Sequence, residues 1–222
     1  MARTLRVDVG DEVYHVINRC NGRAKMFEEP WMYQDFEYLL NEMHEQYDMR
    51  ILAYVLMPNH WHLLLYPRCD GDLSAAMGWL GTAHSRRYHA QTHTIGGGHL
   101  YQGRYKAFLV QDDVHLLSVL KYIERNPVRA KLSKSPESWQ WGSAHRRLRG
   151  TAKEKKLLAE SPTPLPRNYR KWINIQEPSE ELVTLRTSVI KGVPYGSDSW
   201  RDTMIRKYAL GQTTRTPGRP AN

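Results

Sequence analysis

The sequence predicts an α+β domain of ferredoxin-like plan: a split βαβ antiparallel sheet with helices on one face, plus an added C-terminal helix that carries a tyrosine. Three observations predict it. Four β-rich runs, at 13–19, 50–57, 60–66 and 104–111, are of strand length and rich in β-branched, aromatic and Leu residues. Amphipathic stretches separate the first run from the second and the third from the fourth. The resulting order, β-α-β-β-α-β-α, gives an antiparallel sheet.

Each element has a local reason. Val13 to Arg19 reads as the first strand, and Asn21-Gly22 supplies a turn. Trp31 to Tyr47 reads as a helix, because Trp31, Phe36, Leu39, Leu40 and Met43 recur at helical steps after Pro30. Arg50–Met57 and His60–Tyr66 flank Pro58-Asn59, the pattern of a tight hairpin. Asp72 to His89 reads as a second helix with an Asp cap, and the glycines of 94–99 as a flexible loop. Arg104 to Gln111 is the fourth strand. Asp112 or Asp113 caps a helix that ends near Arg125, because Pro127 disfavours helical geometry at Asn126.

Composition bounds the function. The 222-residue chain is 41% hydrophobic and 25% charged, so a packed core is expected. No apolar run of about 18 residues occurs, so no membrane span is expected. The N-terminus lacks an apolar signal core, so a cytoplasmic location is expected. Cys20 and Cys69 read as reduced, structural thiols. The net charge of +9 points to a polyanion as partner. Residues 151–222 hold 13 basic against 7 acidic residues, and the first 150 hold 19 against 16. The expected division is therefore a catalytic domain over 1–150 and a basic extension over 151–222. The extension has an extended linker at 161–166, short helices near 179–191 and 199–210, and a disordered end.

Three stretches carry chemistry. In Pro58-Asn-His-Trp-His-Leu-Leu-Leu65, strand alternation puts His60 and His62 on one face, about 7 Å apart along the strand. Two neutral imidazoles so placed can converge on one cation, although an isolated His-x-His in a strand is more often surface or core filling. In Leu116 to Ala130, Tyr122 and Asn126 lie one helical turn apart, so a phenol nucleophile and an amide oxygen could serve one metal site. The plainer reading is a packing tyrosine and a helix-capping asparagine. In Gly98 to Lys106, Tyr101, Arg104, Tyr105 and Lys106 mix bases with aromatics, which suits a single strand: rings stack on bases and cations hold phosphates. Arg86 and Arg87 extend that strip or form a solvated face.

Four stretches together resemble the REP-associated tyrosine transposases, HUH enzymes related to small single-strand insertion-sequence transposases. They are Tyr14-His-Val-Ile-Asn-Arg19, Met57-Pro-Asn-His-Trp-His62, Tyr101-Gln-Gly-Arg-Tyr-Lys106 and Tyr122-Ile-Glu-Arg-Asn-Pro-Val-Arg-Ala130. The resemblance covers residues 13–148. Ile190 to Ser197, followed by Trp200, is similar to the tail of one branch. The resemblance implies that His60 and His62 are metal ligands, Asn126 the third ligand, and Tyr122 the nucleophile. It implies Mg²⁺ or Mn²⁺ as cofactor, because an amide oxygen suits a hard cation. It implies a 5′-phosphotyrosine intermediate and, as substrate, single-stranded DNA with hairpins from repeated extragenic elements. Arg86, Arg87, Tyr101, Arg104, Tyr105, Lys106 and Arg129 are the expected DNA contacts. A monomer is expected, with a dimer that shares its tyrosine helix as the other form. The competing readings are a non-catalytic single-strand-binding module, a metal hydrolase that uses water, and an inactive domesticated remnant.

Overall fold

Trp61, Leu63 and Leu65 project from one face of a central strand, and His60, His62 and Leu64 project from the other; the rest of the fold is arranged around that division. The computed structural model describes residues 7–214. Strands β1 (Val13–Arg19), β2 (Arg50–Met57), β3 (His60–Tyr66) and β4 (Lys106–Val110) form one antiparallel sheet in the order β2-β3-β1-β4. With α1 (Pro30–Tyr47) between β1 and β2, and α2 (Asp72–Gln91) between β3 and β4, the connectivity is the expected split βαβ. Pro58 and Asn59 turn the β2–β3 hairpin in two residues.

Helices α1 and α2 cover one face. Their buried side chains, among them Phe36, Leu40, Leu73 and Leu80, meet Trp61, Leu63 and Leu65 in one apolar cluster. Each such side chain contributes about 1.5–3 kcal/mol on leaving water, and trimming Leu63 to Ala would cost about 2–5 kcal/mol. Trp31, expected on the inner face of α1, is exposed, and Tyr33 is buried instead. Asp72 is not the cap of α2. That helix starts after Gly71, and the carboxylate of Asp8 accepts from Leu73 N at 3.1 Å and Ser74 N at 3.0 Å. The first-turn amides thus find their acceptor more than sixty residues away in sequence.

The two helices of the split βαβ thus share one face, as expected, and the added helix lies on the opposite one. It is α3 (Val114–Glu124), capped by Asp113, whose Oδ1 accepts from His115 N at 2.8 Å. Leu116, Leu120 and Ile123 bury against Leu52, Val55 and Leu64. A short turn, α4 (Asn126–Arg129), follows, as Pro127 requires. Beyond it, α5 (Ser143–Arg149) packs on β2.

Residues 151–214 pack onto both faces. They form α6 (Ala152–Lys155), α7 (Tyr169–Asn174), α8 (Ser179–Lys191) and α9 (Asp198–Lys207). Leu185 and Tyr195 join the cluster under α3, and Met204 joins the other. Tyr195 pairs with β4: its N–H donates to Leu109 O at 2.8 Å, and its carbonyl accepts from Gln111 N at 2.9 Å. That contact covers the sheet edge. Only glycine fits at the next position, because a Cβ on Gly196 would stand 2.5 Å from the Trp200 ring and 2.6 Å from Gln111 Oε1. Cys20 is buried and Cys69 exposed, both free. The disorder expected of the chain end concerns chiefly residues 215–222, which lie outside the described residues. Among the described residues no helix is long and apolar enough to cross a membrane.

Candidate active site

β3 places His60 and His62 on the α3 face, opposite Arg19 and Ile17 of β1. Their ring centroids are 5.1 Å apart, with ring planes at 79°. Metal–nitrogen bonds of about 2.1 Å allow two imidazoles on one ion to stand at roughly this separation. Each ring has its Nδ1 engaged. His60 Nδ1 lies 2.6 Å from Asn59 Oδ1, an amide oriented by its own Nδ2, which donates to Arg23 O at 3.3 Å. His60 therefore carries its proton on Nδ1 and a lone pair on Nε2. His62 Nδ1 lies 2.7 Å from His15 Nε2. In both rings Nε2 is the nitrogen left over.

Burial keeps the imidazoles neutral. It lowers the His60 pKa to about 4, with help from the nearby charge of Arg19. Burial drives His62 well below the ordinary histidine value, followed by His15, His60, Arg129 and Arg19. His15, wholly enclosed, is lowered to about 3 by burial. Neutral imidazoles are the form that binds metals. Among the described residues no group of three or more His, Cys, Asp or Glu could hold a metal. His15 is not a third ligand, because its Nε2 is spent on His62. The donors the geometry brings together are two imidazoles, which would leave a cation's remaining positions to oxygen ligands.

Tyr122, on α3, lies beside this pair. Its ring meets His62 nearly edge-on, with centroids 5.9 Å apart and planes at 86°, and meets His15 at 6.2 Å. It is 8% exposed, so it belongs to the apolar cluster under α3 and to the imidazole pocket at once. Asn126 opens the next turn, half-buried, with no side-chain hydrogen bond to another described residue.

The expected DNA contacts divide into two groups. Tyr101 is 8% exposed, its hydroxyl accepts from Trp61 Nε1 at 3.0 Å, and His84 Nδ1 lies 2.6 Å from it. Tyr105 is also buried, in the same cluster. Both tyrosines line the groove beside α2 with little exposed ring surface. Arg87 is paired with Asp35 at 2.7 Å, and Arg129 is held by Glu177. By contrast, Arg86, Arg104 and Lys106 are exposed. Arg86 and Arg104 line a groove of about 1010 Å³ between α2 and residues 95–105. Arg19, Arg104 and Lys106 line a cleft of about 330 Å³ that adjoins the histidine face.

Three residues escaped the sequence. His15 supports His62, Arg19 faces His60, and Glu177 anchors the arginines beside Tyr122. Alternation along β1 could have offered His15 and Arg19, but only with the β1–β3 register in hand.

The family profile of IS200-like transposases matches residues 9–126, just over half of the chain. This chain belongs to the IS200-like transposase family. The profile spans the sheet, both imidazoles, Tyr122 and Asn126. A Haemophilus influenzae protein named as a candidate REP-associated tyrosine transposase is 26% identical over 110 residues, 46% of this chain. The match spans 62% of that relative's length. A solved structure of a REP-associated tyrosine transposase bound to a REP hairpin covers 81% of this family member and 100% of that chain. Its TM-score is 0.54 and its identity 19%, a likeness of fold.

Proposed function

We propose that this family member is a metal-dependent single-stranded DNA endonuclease and strand transferase that uses Tyr122 as nucleophile. The observation that carries the reading is the approach of the Tyr122 ring to His62, 5.9 Å between centroids within one chain. In this reading Tyr122 serves its own imidazole pair and the protein acts as a monomer. The substrate is hairpin-bearing DNA from repeated extragenic elements. The name of the Haemophilus relative and the hairpin bound by the structural neighbour support that choice.

His60 and His62, through Nε2, and Asn126, through its amide oxygen, would hold Mg²⁺ or Mn²⁺. Such a cation, when bound, offsets the negative charge that builds on phosphate oxygens during attack. Tyr122 Oη forms the new bond to phosphorus as the bond to the departing 3′-oxygen breaks. The phenolic proton passes to solvent, and the departing oxygen takes one up as a free 3′-hydroxyl. The 5′-phosphate stays on the tyrosine. A second 3′-hydroxyl reverses the step and joins strands without ATP. Arg19 and Lys106 lie on the same sheet face and are placed to meet the DNA backbone.

The test incubates the protein with hairpin-bearing single-stranded oligonucleotides and Mg²⁺ and looks for a denaturation-resistant conjugate. Tyr122→Phe should abolish the conjugate and leave binding intact, and His60→Ala should lose cleavage. Parent-rate cleavage by Tyr122→Phe would overturn the reading. Cleavage by the unsubstituted protein without a conjugate would assign the reaction to water instead.

A further inference from the structure

The His15–His62 pair is an unusual use of the core. His15 has no exposed surface, and its ring is enclosed by His62, Phe108 and Tyr122. Its Nε2 lies 2.7 Å from His62 Nδ1, with ring planes 20° apart and centroids 4.9 Å apart, a separation long enough to put the contact close to both ring planes. In-plane approach is the direction in which an imidazole lone pair accepts. Its other nitrogen, Nδ1, is buried without a hydrogen-bond partner. An apolar ring would fill this position without leaving a polar atom unpaired. A local cost of this kind is expected where a residue serves a function.

The 2.7 Å contact holds one proton and admits two assignments. If His15 Nε2 carries it, neutral His62 holds its own proton on Nε2 and has no lone pair there. If His62 Nδ1 carries it, His62 Nε2 presents a lone pair on the side away from His15. His60 is already in this second form through Asn59. We propose that His15 is a positioning residue: it accepts the His62 Nδ1 proton and thereby aims the His62 Nε2 lone pair at the cation that His60 also binds. The inference rests on the metal site proposed above. His15 does not touch the cation. It sets the tautomer and orientation of the ligand, as outer partners of metal-bound histidines do.

The experiment measures Mn²⁺ affinity by calorimetry without DNA, for the parent, His15→Phe, His15→Gln and His60→Ala. Phe keeps a ring and removes the acceptor, whereas the Gln side-chain oxygen accepts from the same proton. His15→Phe should bind Mn²⁺ about tenfold more weakly or worse, and His15→Gln should recover most of that loss. A second readout needs no substitution. Long-range ¹⁵N–¹H spectra of the Mg²⁺-saturated parent should place the His62 proton on Nδ1. Parent-like affinity in His15→Phe, or a His62 proton on Nε2, overturns the assignment, and the spectrum decides if the Phe variant does not fold. If His60→Ala loses affinity and His15→Phe does not, only the role of His15 fails. If His60→Ala also binds like the parent, the metal-site reading and the role of His15 fall together.

Discussion

The guanidinium of Arg129 stands 4.1 Å from the centre of the Tyr122 ring, and its Nη2 donates to the Tyr122 carbonyl at 2.6 Å. It is held there by Glu177, which comes from the segment between α7 and α8. Glu177 is buried and pairs also with Arg125, Nε to Oε2 at 2.7 Å. One tail carboxylate therefore fixes two arginines beside the candidate nucleophile. Glu177→Gln should leave two largely buried guanidiniums without an anion and destabilise the fold by about 3–5 kcal/mol. Denaturant unfolding measures the loss, and conjugate formation should slow in the same variant. A stability within 1 kcal/mol of the parent, by about the resolution of the method, would show that the pair holds nothing in place.

The exposed cations should carry the DNA charge. Lys106→Glu and Arg86→Glu should each weaken binding to a hairpin oligonucleotide and lower the slope of log affinity against log salt by about one. Arg87→Ala, whose guanidinium is paired with Asp35, should leave that slope unchanged. Fluorescence anisotropy across a salt series reads all three. Equal slopes in all variants would place the DNA on another surface.

The site was legible in the sequence where it depended on local periodicity. Alternation alone put His60 and His62 on one face of β3, and a four-residue spacing put Asn126 one turn from Tyr122. What had to be known about pairing was not legible. His15 reaches His62 only through the β1–β3 register, which arises from tertiary contact. Glu177 meets Arg125 and Arg129 across 52 and 48 residues, and no local pattern marks such a pair. The helix at Ser179–Lys191 was expected from the sequence, but the six residues of α7 are too few to show a period. The partners of Tyr101 were hidden for a related reason. Mixed aromatic and basic composition suits stacking, but the Tyr101 hydroxyl satisfies Trp61, 40 residues away.

Tyr101 therefore supports a stability prediction. Tyr101→Phe removes the hydroxyl that partners both the Trp61 N–H and His84 Nδ1. Leaving buried polar groups unpaired should cost about 1–3 kcal/mol. Affinity for single-stranded DNA should not change, since the ring itself is kept. A loss of affinity with unchanged stability would return Tyr101 to the binding surface.

Acid should destabilise the fold through its buried imidazoles. Burial lowers His84 and His15 to about 3 and His60 to about 4, against an unfolded value of about 6.5. The unfolded chain thus binds more protons than the folded one below pH 6.5, and stability falls as pH falls. The penalty is absent above about pH 6.5, grows through the window down to the folded values, and is complete below them. At pH 5 it is about 2 kcal/mol for each such imidazole. His84 isolates the effect, because it lies among α1, α2 and Tyr101, away from the His15–His62 pair. His84→Asn keeps a polar atom near Tyr101 and cannot titrate. Its stability should fall less between pH 7 and pH 5 than that of the parent, by about the share of one histidine. Parallel pH profiles for the two proteins would mean that His84 titrates as it does in water.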